Sequence, residues 1–167
     1  MILVYTGNGK GKTSSCVGQA IRAIGQGFTV FFAQIIKTDV GAGEQKMLRS
    51  LLGERYFIGG KGFFFNEADR PKHRDAALKT LDWCIQAVPQ ADMLIVDEML
   101  YAIGSGLVTQ EEVLDLVNRC NDARVHLVLS GRGLPDWLED KADLVSLIDE
   151  VKHPSRNGVQ AQKGIEF

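Results

Sequence analysis

Three cysteines and three histidines in 167 residues leave little from which to build a metal cluster or a disulfide framework. Cys16, Cys84 and Cys120 match no zinc-ligand spacing, and an odd count argues against paired disulfides. Each falls in a helix-like segment among apolar neighbours, the usual setting of a small buried thiol. No spacing among the histidines suggests a metal site. His126 falls within a strand and reads as structural, His73 begins a helix and reads as exposed, and His153 in "VKHPSRNG" is a candidate contact near the tail. Long apolar runs are missing too, so no membrane partner is expected. The opening "MILVYTG" is too short for a secretory signal and has no basic start, which makes a cytoplasmic address the expectation. Nor is there an excess of one charge: the formal net charge is -2, so no broad basic face is implied and nucleic acid is not an expected partner. Repeats, low-complexity tracts and linkers are absent. A single domain over residues 1–167 is expected, with 45% hydrophobic residues to build its core.

What is present alternates. Apolar runs rich in β-branched and aromatic residues stand at Met1–Tyr5, Phe28–Ile36, Met93–Val96 and Val125–Leu129, with helix-period segments between them. Leu78, Leu81, Ile85 and Val88 recur at three- and four-residue steps, and Thr109 with Glu112 forms a capping box before "VLDLVNRC". Strands apolar throughout imply a sheet covered on both faces. The fold class predicted is α/β, a mostly parallel sheet with helices on both faces. Asp39–Gly43 reads as a mobile loop, and the last stretch, "KHPSRNGVQAQKGIEF", as a hairpin or extended tail.

The first strand runs into "TGNGKGKTSS", and "KTSSCVGQAIRAIGQG" then reads as a helix ending at Gly25 or Gly27. A strand, a glycine-rich loop, Gly11-Lys12-Thr13 and a helix, in that order, make a phosphate-binding loop one glycine short of the usual pattern. Gly7, Gly9 and Gly11 let backbone N–H groups converge on an anion. Lys12 neutralises phosphate oxygens, and the Thr13 hydroxyl is a Mg²⁺ ligand. Asn8, Lys10 and Ser14 complete the nucleotide-binding stretch. The expected architecture is that of a P-loop NTPase of the RecA-like kind.

"DMLIVDEM" sets Asp97 and Glu98 at the end of an apolar strand, where a carboxylate reaches Mg²⁺ or its waters; either of the two can be the ligand. "VHLVLSGRG" delivers Arg132 to the same sheet edge, within reach of a phosphate oxygen. In "GFFFN", Phe63, Phe64 and Phe65 cannot all enter a core from a strand, because neighbours point oppositely. Taken alone, core is the better reading, with a pocket wall or mobile flap as the contender.

"GNGKGKT", "IVDEMLYA", "LSGRG" and the closing "VKHPSRNGVQAQKGIEF" together resemble the ATP:corrinoid adenosyltransferases of the CobA/BtuR/CobO type, over nearly the whole chain. The resemblance implies transfer of the 5′-deoxyadenosyl group of ATP to the Co(I) of a reduced corrinoid, cobalamin or cobyrinic acid a,c-diamide, with release of triphosphate. Lys12, Glu98 and Arg132 would then be catalytic. Lys37, in "IIKTDVGAGE", would join the nucleotide site, with Glu44 nearby, and Phe63 and Phe65 would bind the corrinoid. Many members carry "GFTW" here, so Phe64 replaces a threonine and Phe65 a tryptophan. Mg²⁺ dependence, a homodimer and a reductase or flavoprotein electron donor are also implied. Some members have an N-terminal extension covering the nucleotide; this sequence starts at the P-loop strand, so no such cover is expected. A small P-loop kinase or ATPase acting at the γ-phosphate is the alternative, and neither "GFFFN" nor "KGIEF" would be explained by it.

Overall fold

A computed structural model describes residues 1–166. Phe167, the last residue of the terminal motif, lies outside the described residues. The sheet has six strands in the order β3-β2-β4-β5-β1-β6. They are β1 (Ile2–Thr6), β2 (Val30–Gln34), β3 (Tyr56–Ile58), β4 (Met93–Asp97), β5 (His126–Ser130) and β6 (Leu144–Leu147). Every pairing is parallel. The four predicted strands are present, their ends differing from the prediction by no more than two residues, and β3 and β6 are additional edge strands.

Two apolar layers sandwich the sheet. Met93 and Ile95 pack with Val30, Phe32, Cys16 and Ala20, placing α1 (Lys12–Gly25) and α2 (Gly43–Leu52) on one face. Leu94 and Val96, their alternating neighbours, pack with Ala77, Leu81, Val113 and Leu116 on the other. That face carries α3 (Arg70–Ala87), α4 (Met99–Gly104), α5 (Gln110–Asp122) and the short α6 (Asp136–Glu139). The α/β architecture predicted from the strand pattern, a parallel sheet with helices on both faces, is the one observed.

Local signals act where expected. Thr109 Oγ1 accepts from the Glu112 N–H at 3.3 Å while Glu112 accepts from the Thr109 N–H at 2.8 Å, opening α5. The three thiols are buried, and desolvation raises all of them, Cys120 to about 12. His126 starts β5, stacks on Phe28 and contacts the N-terminal ammonium. His73 is half-buried against Phe64 rather than exposed, because α3 turns that side towards the phenylalanine.

Three expectations need correcting. The stretch 39–43 is tethered: Gln45 accepts from the N–H groups of Val40 and Ala42, Arg49 pairs with Asp39 at 2.7 Å, and Gly43 already belongs to α2. Of the two readings of the tail, no hairpin strand forms among the described residues; the chain is irregular apart from turns, one of them the 3-10 turn Pro154–Asn157 capped by His153. The phenylalanine run is not core. Phe64 packs inward under the Arg70 guanidinium, whereas Phe63 is 52% exposed and Phe65 98%.

Candidate functional site

Because all six strands run one way, the C-terminal ends of β1, β4, β5 and β2 share an edge. Tyr5 registers with Ser130 and Gln34 with Asp97. The three motifs that carry chemistry leave the sheet there, as ligand sites of open parallel sheets do.

The loop between β1 and α1 is pressed against the end of β6. A Cβ on Gly7 would stand 2.4 Å from the Ile148 carbonyl oxygen, and one on Gly9 2.7 Å from it, so both positions exclude any side chain. The Gly9 N–H donates to that same carbonyl at 2.8 Å. That N–H is engaged in holding the loop, although Gly9 itself lines the cavity described below. Gly7 likewise packs at β6 but does not line that cavity. What remains free is the first turn of α1. Gly11 caps it, and the first main-chain bond is Ser15 N–H to Gly11 O at 2.8 Å, which leaves the N–H groups of Lys12, Thr13 and Ser14 without helical partners. The first turn contains no acidic side chain to compete for them. Lys12 is buried, and its ammonium donates to Gly9 O at 2.7 Å across the loop. Burial lowers its pKa, opposed by the Glu98 charge.

Behind the loop Asp97 is fully buried and heavily engaged. It accepts from Ser130 Oγ at 2.7 Å, Gln34 Nε2 at 3.1 Å and Thr13 Oγ1 at 3.1 and 3.2 Å. The Lys37 ammonium lies 3.2 Å away and also donates to Thr13 Oγ1 at 2.9 Å. Gln34 is in turn fixed by the Tyr56 hydroxyl, which donates to it at 2.7 Å, and by Gln45 at 3.2 Å. Glu98 differs from its neighbour. It sits in the left-handed region at φ 66, held by a bond from its N–H to Ser130 Oγ at 3.0 Å, and its side chain lines the cavity. A non-glycine residue in that region costs about 1 kcal/mol or more, a strain characteristic of functional positions. Burial, reinforced by the Asp97 charge, raises its pKa.

One cavity of about 960 Å³ joins these groups. Asn8 to Ser14, Lys37, Glu44 and Glu98 form its polar end, and Arg132, exposed at the tip of β5, leans over it. Phe63 and Tyr101 form an aromatic wall, their rings edge to face at 4.8 Å. The structure thus brings Phe63 to the site but leaves Phe65, two residues on in the same irregular segment, exposed to solvent and off the lining. Tyr101, Glu150, Ile165 and Glu166 also line it and escaped the site assignment made from sequence. Lys10 bridges loop and tail, donating to Ile165 O at 2.7 Å and pairing with Glu166. Only Tyr101 had a local signal, three residues after Glu98 and on the turn that follows; the tail contacts span more than 150 residues of sequence.

Comparison with known proteins adds to this geometry. The profile of the family described as ATP:corrinoid adenosyltransferase BtuR/CobO/CobP matches residues 1–167. A corrinoid adenosyltransferase of Pseudomonas aeruginosa is 35% identical over 172 residues, spanning 100% of this chain and 83% of that relative. The corrinoid adenosyltransferase CobA of Salmonella typhimurium is 34% identical, spanning 100% and 85%. Among solved structures, the flagellar accessory protein FlaH of Methanocaldococcus jannaschii superposes with a TM-score of 0.55 at 13% identity, covering 87% of this chain and 69% of that one, a likeness of fold alone.

Proposed function

The chain belongs to the ATP:corrinoid adenosyltransferase family, and from that premise we propose how its site carries out adenosyl transfer. The protein transfers the adenosyl group of ATP to a corrinoid in cobalamin metabolism. The observation that carries the mechanistic reading is the continuity of a phosphate-type nest and an aromatic wall within one cavity.

In the proposed reaction the electron pair of Co(I) forms the cobalt–carbon bond at C5′, the C5′–O bond breaks, and its pair departs on triphosphate. No proton moves, so no general base is needed. The protein's work is to hold the leaving charge and align the reacting atoms. Lys12 exchanges the Gly9 carbonyl for a phosphate oxygen. The free N–H groups of the first turn of α1, with Asn8, Lys10 and Ser14, grip the chain of phosphates, and Arg132 closes on it. Glu98, the carboxylate that faces the cavity, orients the bound ligand.

The residues fit a divalent cation that arrives with the nucleotide. Among the described residues no cluster of three or more acidic, histidine or cysteine side chains holds a metal alone. Thr13 Oγ1 and Asp97, however, converge on a point already faced by the Lys37 ammonium, so the position accepts positive charge. Thr13 and Asp97 would hold Mg²⁺, with Glu98 at the edge. Bound there it would neutralise triphosphate oxygens.

Phe63 and Tyr101 would form the apolar wall beside the corrinoid, with Phe65 closing on it from outside. The proposal extends to cobalamin or cobyrinic acid a,c-diamide as substrate, to residues 1–167 acting as one domain, and to a cytoplasmic homodimer served by a reductase or flavoprotein. Among the described residues no helix is long and apolar enough to cross a membrane. The test is anaerobic incubation with ATP, Mg²⁺ and chemically reduced cobalamin. Adenosylcobalamin with triphosphate is the expected product pair; ADP with phosphate would overturn the reading.

A further inference from the structure

The cation facing Asp97 belongs to the protein itself. Among the described residues, Lys37 is the side-chain cation within ion-pair distance of that fully buried carboxylate. Its contact with Thr13 is equally specific. The threonine hydroxyl has one proton, directed at Asp97, so its oxygen is left to accept from the Lys37 ammonium at 2.9 Å. Both oxygens suited to a divalent ion are therefore already turned to a positive charge. A divalent ion and an ammonium cannot occupy the same position, and beside a buried carboxylate their mutual repulsion is only partly screened. The ammonium has somewhere else to go. Glu44, in the first turn of α2, lies 3.5 Å from it on the cavity side, and the lysine side chain is 27% exposed on a flexible stem.

We propose that Lys37 is a placeholder cation. In the nucleotide-free protein it fills the divalent-ion position, keeps buried Asp97 neutralised and keeps free metal out. It yields only when a triphosphate brings enough negative charge to hold both cations, whereupon its head moves to Glu44 and the phosphate oxygens. Metal and triphosphate consequently bind together, and free metal hardly binds at all. This inference rests on the phosphate-site reading above, but not on what becomes of the adenosyl group.

The test is a Mn²⁺ titration of the nucleotide-free protein, followed by electron paramagnetic resonance of unbound Mn²⁺, with and without inorganic triphosphate. Wild type should bind Mn²⁺ tightly only with triphosphate present. Lys37→Met should bind Mn²⁺ at least about tenfold more tightly than wild type without triphosphate, because a buried carboxylate has lost its partner. Its thermal midpoint should be below that of wild type and rise on adding Mn²⁺. Lys37→Arg, which keeps the charge, should exclude Mn²⁺ as wild type does. Equal triphosphate-free Mn²⁺ affinity in wild type and Lys37→Met would overturn the proposal. Should Lys37→Met not fold, Glu44→Gln serves. It should weaken triphosphate-dependent Mn²⁺ binding several-fold while free Mn²⁺ stays excluded, and unchanged binding would count against the idea. None of these readouts needs a corrinoid, so loss of adenosyl transfer with the Mn²⁺ pattern intact would overturn the activity reading alone.

Discussion

The two ends of the cavity are built to different standards. At the phosphate end, Asp97 is sealed among Ser130, Gln34, Thr13 and Lys37, and the loop is clamped to β6 through Gly9 and Ile148. At the aromatic end, Phe63 is half exposed and Phe65 fully so, on a glycine-flanked segment with no strand or helix from Gly59 to Asn66. A leaving group that gathers charge needs donors already in place, since reorganising them during the reaction would raise the barrier. A large planar substrate instead needs an opening. In the proposed reaction, rigid polar groups would serve the leaving group and the more open apolar ones the corrinoid.

Lys12→Ala strikes the rigid end hardest. Adenosyl transfer should fall by about 10²–10³ in kcat, the scale of losing one preorganised donor. Steady-state rates with reduced cobalamin check this, and an unaltered kcat would remove Lys12 from the leaving-group site. Asp97→Asn keeps the shape but strips the charge that Lys37 and Thr13 face. It should lower folding stability by roughly 1–3 kcal/mol in denaturant unfolding, and a stability equal to wild type would mean that the Asp97 charge adds nothing to the fold.

At the adaptable end the effects are smaller and more selective. Phe63→Ala removes half of the Tyr101 contact and should raise KM for the corrinoid about tenfold, with KM for ATP unchanged; an aromatic pair and its buried area are worth on the order of 1 kcal/mol. If ATP binding changed instead, the division between the two ends would fail. Glu98→Gln probes the border. The folded-state pKa of Glu98 is raised, so the folded protein holds its proton more tightly than the unfolded chain and loses stability as pH rises from the ordinary glutamate range through the raised value. The variant should therefore be more stable than wild type at neutral pH and gain nothing below the unfolded pKa, as thermal melts at both pH values would reveal. Phe65→Ala, at a fully exposed position, should leave the melting temperature within error of wild type. Any loss of corrinoid turnover in that variant then reports on function rather than folding.

The phosphate loop was legible because its parts are neighbours in sequence: a strand, a turn and a helix start within fifteen residues. The capping box of α5 was legible for the same reason. β4 and β5 announced themselves by continuous apolar runs, since both of their faces are covered. β3 and β6 did not. β3 is three residues long, and β6 is an edge strand whose side chains are mostly exposed, so neither carries the buried pattern. Gln34 went unnoticed because one polar residue inside the apolar run Phe28–Ile36 carries no local signal, and its partners Tyr56 and Gln45 come from later elements.

By itself the sequence determined the chemistry available, a glycine loop with Lys12 and Thr13, an acidic pair, an arginine and a phenylalanine run, because local patterns fix local backbone. Only the tertiary structure decided how those groups are shared out. Parallel pairing placed Thr13, Asp97 and Lys37 on one point although 84 residues separate the first two. The irregular backbone between Gly62 and Asn66 turned Phe63 inward to Tyr101 and left Phe65 outward. The end of β6 claimed one N–H of the phosphate loop for itself. Such competition for partners is settled by packing across the sheet, which no local pattern encodes.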